Sequence, residues 1–266
     1  MSTDLIYQAI RRVVTTRLGE AATRPGLTVL DIGVGRGRLL ELLCRDMRAT
    51  ACGCDLDPDR LERGTVPVTQ VNLNSHDLPY PSEAFDLVTC SEVLEHLENY
   101  HRLLREAYRV LKPRGLVVVS TPNVLNVKSR LRYWAGGFPN LFGPLPLTSD
   151  RCYSVSGHIT PLPLFYLARV LRALGFTALA VDIDKVQRTS LVCLVLFYPL
   201  WRIAWECFLV WERQKYRTLT PENEPLVRWH GTTKVLTGRT LIVSAWKSPE
   251  APCNGVRYAE GQERRA

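Results

Sequence analysis

The stretch VLDIGVGRGRLLELL, residues 29–43, runs an apolar segment into an acid and then places a glycine at every second position. Glycines with this spacing let the backbone turn sharply and approach a ligand closely, because positive φ is allowed and no Cβ stands in the way. The apolar residues that follow have helical spacing, so the turn also presents a helix N-terminus with free N–H groups. The stretch therefore predicts a strand, a glycine turn and a helix.

Short strands alternate with helices along the first half of the chain. Alternation of this kind predicts an α/β fold in which helices cover both faces of a parallel sheet. Ligands of such sheets bind at the carboxyl ends of the strands, which is where the glycine turn falls. The predicted strands are 28–32, 50–55, 66–73, 85–90 and 116–120, and the predicted helices are 36–45, 58–63 and 100–111.

Composition narrows the class of protein. The 266 residues are 46% hydrophobic and 23% charged, which is ordinary for a globular chain. The net charge of +8 comes from scattered basic residues rather than a basic stripe, so no nucleic acid is expected, whereas an anionic membrane surface suits the same charge. The eight cysteines include no C-x-x-C pair and lie mostly in apolar runs, which predicts reduced thiols in a cytoplasmic chain.

Two nucleotide-binding motifs could account for the three glycines. The dinucleotide fingerprint G-x-G-x-x-G starting at Gly33 requires glycine at position 38, and Arg38 there opposes a nicotinamide-dependent oxidoreductase. Gly33, Gly35 and Gly37 after Asp31 instead resemble motif I, hhDhGxGxG, of the class I S-adenosylmethionine-dependent methyltransferases. This resemblance implies a Rossmann-like, seven-stranded, mostly parallel sheet with helices on both faces, and S-adenosylmethionine as the cofactor.

A second acid, Asp55, ends the second predicted strand. Its carboxylate has two acceptor oxygens, which suits the two adjacent hydroxyls of a ribose. The resemblance implies this role for Asp55, with Leu56 beside it in the cofactor site. Asp57 stands directly before Pro58 and is predicted to cap the following short helix.

The stretch 71–97 is similar to the family's third strand, the loop after it and the fourth strand. The resemblance implies that Asn72 meets the adenine amino group and that the backbone N–H of Leu73 meets an adenine ring nitrogen. Asp77 is the alternative to Asn72, because this loop is one residue longer than in the family. Ser91 matches the position that lies beside the cofactor.

Glu92, Glu95 and His96 share one face if their segment is helical, because they stand at i, i+3 and i+4. Two carboxylates and an imidazole can bind a divalent ion or supply a general base. The ubiquinone-biosynthesis O-methyltransferases, which this stretch resembles, carry the same residues, and some use a metal there. The preferred alternative is that His96 packs under the next helix while the glutamates cap it or face water, so a divalent metal is not expected.

The segment 108–123 is similar to the family's helix, turn and fifth strand, and Gly115 is expected to take positive φ there. A long loop follows, ahead of an amphipathic helix predicted at 163–174, and loops of this length usually shape a functional site. We predict that it forms the acceptor lid. Tyr153 and His158 in this loop join His96 as candidate bases, and the alternative for His158 is a capped loop residue.

The last third of the chain departs from a minimal methyltransferase. The segments 177–183 and 239–247 match the sixth and seventh strands, and residues 183–238 between them are far longer than a hairpin turn. This insert contains a nearly uninterrupted apolar run at 191–211.

Arg202 and Glu206 inside the apolar run oppose a membrane-spanning helix, since each charge is costly at the bilayer centre. The two residues share one helix face, with Trp201 and Trp205 predicted at its border, and basic residues flank the run. Such a helix suits a membrane interface. Packing against its own domain or against a second subunit is the alternative.

The sequence thus predicts four parts: an N-terminal amphipathic helix, a methyltransferase domain, an apolar helical insert that is a membrane-interface or dimer element, and a flexible tail. The predicted function is S-adenosylmethionine-dependent methyl transfer to a small-molecule or lipid-linked acceptor, in the cytoplasm or at the inner face of the membrane. The alternative is a non-catalytic regulator or scaffold with the same fold, similar to MetW-like proteins, that binds the cofactor or a partner enzyme. The predicted boundaries are 1–20, 21–182 with 239–247, 183–238, and 248–266.

Overall fold

The computed structural model describes residues 4–23, 25–62, 66–145 and 157–250. Seven strands form one sheet, and they are β1 (Thr28–Ile32), β2 (Thr50–Asp55), β3 (Val68–Gln70), β4 (Phe85–Ser91), β5 (Leu111–Pro122), β6 (Phe176–Ile183) and β7 (Thr240–Lys247). Their order is β3-β2-β1-β4-β5-β7-β6. β7 runs antiparallel to both of its neighbours, and the other pairs are parallel. The predicted fold class is therefore confirmed.

Helices cover both faces of this sheet. They are α1 (Asp4–Leu18), α2 (Arg38–Met47), α3 (Tyr100–Val110), α4 (Val127–Gly136), α5 (Leu164–Ala173), α6 (Arg188–Gln214), α7 (Glu224–Trp229) and α8 (Thr233–Thr237). Apolar residues of β5 alternate between the two faces: Leu116 and Val118 pack with α1 and α2, and Val117 and Val119 pack with α3 and α5. The alternation follows from the period of two in a strand that is buried on both sides.

The predicted N-terminal amphipathic helix is α1, and its apolar stripe is buried on the sheet and α2. Ile6, Ile10 and Val14 are buried, and Arg11 forms an ion pair with Asp46 of α2 at 2.7 Å. The division of the chain into domains stays a prediction, as does the flexible tail, of which residues 251–266 lie outside the described part of the chain.

Some element boundaries differ from the predictions. β3 is shorter than the predicted 66–73, because the apolar Val71 packs in the core beyond the end of the strand. The turn before the central part of β5 places Arg114, not Gly115, at positive φ (60°), so that expectation was wrong. Glycine at 115 is required by close packing instead, since an added Cβ would lie 2.8 Å from the Lys112 carbonyl oxygen.

The insert forms α6, and the two tryptophans of the prediction lie next to the Arg202–Glu206 face on the side toward the domain. Trp201 and Trp205 are partly buried and stacked, with ring centroids 6.0 Å apart, and Trp205 lies against Gly231. Arg202 and Glu206 pair at 2.8 Å on the exposed side. By length and composition α6 is the one helix in the described chain that could cross a membrane.

Candidate functional site

The glycine turn follows β1 and adopts a backbone that only glycine takes readily. Gly33, Gly35 and Gly37 have φ of 76°, 54° and 80°, all in the left-handed region. A Cβ at Gly33 would come within 2.2 Å of a Val93 side-chain carbon, whereas a Cβ at Gly35 would meet no atom within 4 Å. Position 35 therefore borders open space, as a turn that receives a ligand requires.

Asp55 at the end of β2 holds the glycine turn in place. Its Oδ2 accepts a hydrogen bond from the Gly35 N–H at 2.7 Å, and its Oδ1 accepts one from the Asp57 N–H at 3.0 Å. A carboxylate oxygen has two lone pairs, so each oxygen keeps one acceptor position for a ligand hydroxyl. The geometry thus leaves Asp55 able to bind both hydroxyls of a ribose.

The predicted helix cap at Asp57 is wrong. Its side chain caps no N–H group, and the segment after it is one 3₁₀ turn, Pro58–Arg60, rather than a helix. The backbone of Asp57 is bonded to Asp55 instead, which leaves its own carboxylate in water.

Asp31 lies beneath the turn and is almost completely buried, at 2% exposure. The Thr89 hydroxyl of β4 donates to its Oδ1 at 2.6 Å. Burial raises the pKa of Asp31 to about 7, and the nearby Asp55 charge adds to the effect. Asp31 therefore supports the site from below.

The residues predicted to meet the adenine follow β2 and β3, which are neighbours in the sheet. The Asn72 Oδ1 accepts from the Asn74 N–H at 3.0 Å and closes a turn there, while Leu73 packs against the core and the Leu56 side chain is 42% exposed. Asp77, the alternative to Asn72, forms an ion pair with Arg102 at 2.9 Å. Arg102 contacts only Oδ1 of Asp77, and the Asn72 Oδ1 already accepts one hydrogen bond, so these contacts leave both residues as candidates for the adenine amino group.

Ser91 and Glu92 end β4 beside the glycine turn. The Ser91 and Ser120 hydroxyls lie 3.2 Å apart, and the Ser120 hydroxyl also donates to Glu92 Oε1 at 3.2 Å. Glu92 has a positive φ of 55°, a costly conformation for a non-glycine residue that often marks functional sites. Burial raises the pKa of Glu92 to about 7.

Three titratable side chains form a cluster beyond Glu92, two from the turn after β4 and one from the segment before α5. Ligand atoms of Glu95, His96 and His158 all lie within 4.8 Å of one another. The predicted helical face with Glu92 does not form, because only Leu94–His96 is helical and Glu92 precedes it in the left-handed conformation. His158 takes the third place in the cluster.

Backbone hydrogen bonds bring the distant His158 to this cluster. The Glu95 carbonyl accepts from the N–H groups of Ile159 at 2.9 Å and Thr160 at 3.0 Å. The His96 Nδ1 lies 2.7 Å from the Gly157 carbonyl oxygen, which can only accept, so Nδ1 carries the proton and Nε2 is left with its lone pair. The His96 and His158 rings meet edge to face, with centroids 4.8 Å apart.

Burial sets the charge of the cluster. It lowers the pKa of His96 and lowers the pKa of His158 to about 4, so both imidazoles are neutral at pH 7. Glu95 is fully buried, its carboxylate faces the Thr121 hydroxyl but forms no hydrogen bond of normal geometry within the described residues, and burial raises its pKa well above the usual range. The cluster can therefore accept a proton or a cation.

Two further residues near this cluster were not predicted from the sequence. The Phe142 ring lies 5.2 Å from the His158 ring, and the buried Thr121 hydroxyl at the end of β5 faces the Glu95 carboxylate. The position of Thr121 at a strand end was a usable signal, whereas Phe142 carried none. Tyr153, the other candidate base, lies outside the described residues.

The strand order with an antiparallel β7, the glycine turn after β1 and the acid at the end of β2 define the class I fold of S-adenosylmethionine-dependent methyltransferases. A family model described as a methyltransferase domain matches residues 4–181. The chain belongs to this methyltransferase domain family, which removes the support for a nicotinamide-dependent oxidoreductase.

Curated relatives match part of the chain. A ubiquinone biosynthesis O-methyltransferase from Klebsiella pneumoniae is 33% identical over 130 residues, which cover 44% of this chain and 53% of the relative. A protein of the same description from Pseudomonas putida is 36% identical over 115 residues, covering 40% and 49%. The chain thus spans about half the length of the curated relatives it matches.

Solved structures show the same fold at low identity. An Archaeoglobus fulgidus SAM-dependent methyltransferase superposes with a TM-score of 0.52 at 21% identity, covering 89% of this chain and 94% of that one. Haemonchus contortus phosphoethanolamine N-methyltransferase 2, in complex with S-adenosyl-L-methionine, gives 0.51 at 17% identity, covering 90% and 52%.

Proposed function

We propose that this chain is an S-adenosylmethionine-dependent O-methyltransferase that acts on a hydroxyl group of a lipophilic acceptor. The observation that carries the proposal is the cluster of Glu95, His96 and His158: Glu95 and His96 lie four and five residues after the predicted cofactor residue Ser91 at the end of β4, and His158 joins them from the segment before α5. The curated relatives are ubiquinone biosynthesis O-methyltransferases, which supports oxygen as the methylated atom.

The residues at the strand ends fit the cofactor. Asp55 would accept the ribose hydroxyls, and the glycine turn would admit the cofactor to the backbone, since position 35 borders open space. Asn72 would hold the adenine amino group. The other proposed cofactor residues are Asp31, Gly33, Gly37, Leu56, Leu73 and Ser91.

His96 is the proposed base. When bound, S-adenosylmethionine supplies a methyl group on a positively charged sulfur. The acceptor hydroxyl would give its proton to His96 Nε2, because Nδ1 is already protonated against Gly157 and the lowered pKa keeps the ring neutral. Phe142 and His158 would exclude water from the same space, and alignment of the two reactants supplies most of the acceleration.

A second candidate role for the cluster is divalent metal binding through Glu95, His96 and His158, and one observation favours it. The Glu95 carboxylate is fully buried with no cationic partner among the described residues and only the Thr121 hydroxyl facing it, and a buried carboxylate is stable only if it is protonated or well paired. A bound ion would deprotonate Glu95 and orient the acceptor oxygen. Glu92 is not in this set, since Ser120 holds its carboxylate.

The lipophilic acceptor and the cytoplasmic location rest on composition and exposure. Free thiols at six described cysteines favour a reducing compartment, and the exposed apolar α6 favours an acceptor that partitions into lipid, such as a quinone precursor or a polyprenyl-linked sugar.

Formation of S-adenosylhomocysteine tests the proposal. The purified chain is incubated with S-adenosylmethionine and a panel of polyprenylated phenols and polyprenyl-linked sugars in detergent. We expect turnover with one acceptor class and a loss of about 100-fold in kcat for His96→Gln, while the control His76→Gln, at an exposed histidine, keeps wild-type activity. Cofactor binding without turnover on any acceptor would favour the non-catalytic regulator instead.

A further inference from the structure

The helix α6 carries an outward apolar face that the cofactor site does not use. Val192, Val195, Leu196, Leu200 and Ile203 share this face at helical spacing, and each leaves more than half of its surface in water, with Leu196 at 69% and Leu200 at 68%. We call these five residues the α6 ridge. Contiguous apolar surface of this kind marks an interaction site.

The opposite side of α6 packs on its own domain. Ser190, Leu194 and Leu209 are buried, and Trp205 lies against Gly231. One side of α6 therefore packs on the domain and the other faces outward, and no described residue of the chain covers the α6 ridge.

The start of α6 is bonded to α8 and its end to α7, and both of these helices pack on the same domain, since Val235 of α8 and Trp229 of α7 contact its core. Near its start the Gln187 N–H donates to the Thr237 carbonyl at 2.7 Å, and near its end Arg213 forms two hydrogen bonds with Glu224. The 27-residue helix is about 40 Å long, enough for a bilayer core of about 30 Å. Because both of its ends are held on one domain, it lies along the surface and does not cross.

Charge and aromatic residues around the ridge identify the partner. Residues 185–217 contain six basic and two acidic side chains. The helix α4 packs beside α6, where the Lys128 N–H donates to the Ser190 hydroxyl at 3.2 Å, and it exposes Tyr133 and Trp134, the latter at 87%. Tyrosine and tryptophan favour the boundary between lipid and water, and basic residues favour anionic headgroups.

We propose that the α6 ridge and the Tyr133–Trp134 edge of α4 dock on an anionic lipid bilayer, with α6 parallel to its surface. A second copy of the chain fits less well, because a symmetric contact would bring the same basic flanks together. The docking surface deepens the proposed function by naming where a lipophilic acceptor would be met. It does not depend on the methyl transfer itself.

Vesicle sedimentation tests the docking surface. The full chain is mixed with phosphatidylglycerol/phosphatidylethanolamine vesicles or with phosphatidylcholine vesicles. We expect sedimentation with the anionic vesicles that weakens as salt is raised, and little with phosphatidylcholine. In the double variant Leu196→Glu/Leu200→Glu the affinity for anionic vesicles should fall at least about tenfold.

The control variant Leu5→Glu/Tyr166→Glu introduces two glutamates at exposed apolar residues of α1 and α5. It should sediment like the wild type. Binding of S-adenosylmethionine, unchanged in the ridge variant, shows that it is folded, and Leu196→Ala/Leu200→Ala serves as a milder second variant. Wild-type sedimentation in the ridge variants, or none in the wild type, would overturn the proposal. So would a wild-type dimer that the ridge substitutions convert to a monomer, since a second copy would then cover the ridge.

Discussion

The backbone N–H of Gly35 donates to Oδ2 of Asp55 at 2.7 Å, which joins the turn after β1 to the end of the neighbouring strand β2. The two residues stand 20 positions apart in the sequence. Through this bond the acid proposed to bind the ribose also fixes the turn proposed to lie against the cofactor. Asp55 and the glycine turn, the two proposed parts of the cofactor site, are therefore held in position by a hydrogen bond within the chain itself.

Gly35→Ala should weaken binding of S-adenosylmethionine by about tenfold or more, because the new methyl group points into the open space beside the turn. The substitution should also cost about 1 kcal/mol of folding free energy, because alanine would have to adopt the left-handed φ of 54°. Calorimetric titration and urea unfolding measure the two effects. Gly136→Ala, at a helical glycine that also borders open space, is the matched control: it should leave cofactor binding unchanged and should not destabilise the fold, since alanine is the better helix former by up to about 1 kcal/mol.

Asp31→Asn should remove a pH dependence of stability. The pKa of Asp31 is about 7 in the folded chain and about 3.9 when unfolded, so between these values the folded state binds the extra proton. The free energy of unfolding therefore falls as pH rises from about 4 to 7.

Urea unfolding at several pH values in that window measures this slope. The slope should be shallower in Asp31→Asn than in the wild type, while Asp57→Asn, at an exposed acid, should keep the wild-type slope. An equal slope in all three proteins would contradict the assignment of the buried proton to Asp31.

Divalent ions should distinguish the two roles of the histidine cluster. If Glu95, His96 and His158 bind a metal, Mn²⁺ or Zn²⁺ at ten times its Kd should stabilise the wild type by about 1.4 kcal/mol. A rise in Tm should then be absent in Glu95→Gln and present in Glu98→Gln, a control at an exposed glutamate. A wild type whose Tm does not respond to either ion would leave His96 as a metal-free base.

Much of the sheet and the arrangement of the glycine turn beside Asp55 could be predicted from the sequence because their signals are local. The glycine turn, the acid at the end of β2 and the apolar strands each depend on a few neighbouring residues, and the sheet order confirms the fold they predicted. The predicted β3 was too long because apolar residues next to it, such as Val71, continue the strand pattern in the sequence. Val71 packs in the core beyond the end of the strand.

The histidine cluster could not be predicted in full because it depends on contacts between distant residues. His158 meets His96 only because residues 157–160 bond to the backbone and ring of residues 95–96. Likewise Trp205 turns inward because Gly231 leaves room for its ring, a fact that helical spacing within α6 does not contain.

The most direct test of the account is calorimetric titration of S-adenosylmethionine into the wild type, Asp55→Ala and Asp57→Ala. Loss of a charged hydrogen-bond acceptor should weaken binding by about 1.5–3 kcal/mol, or roughly 10- to 100-fold, in Asp55→Ala. Asp57→Ala should bind like the wild type, since its carboxylate faces water and caps nothing. Equal affinity in all three proteins, or no binding by the wild type, would contradict the cofactor site described above.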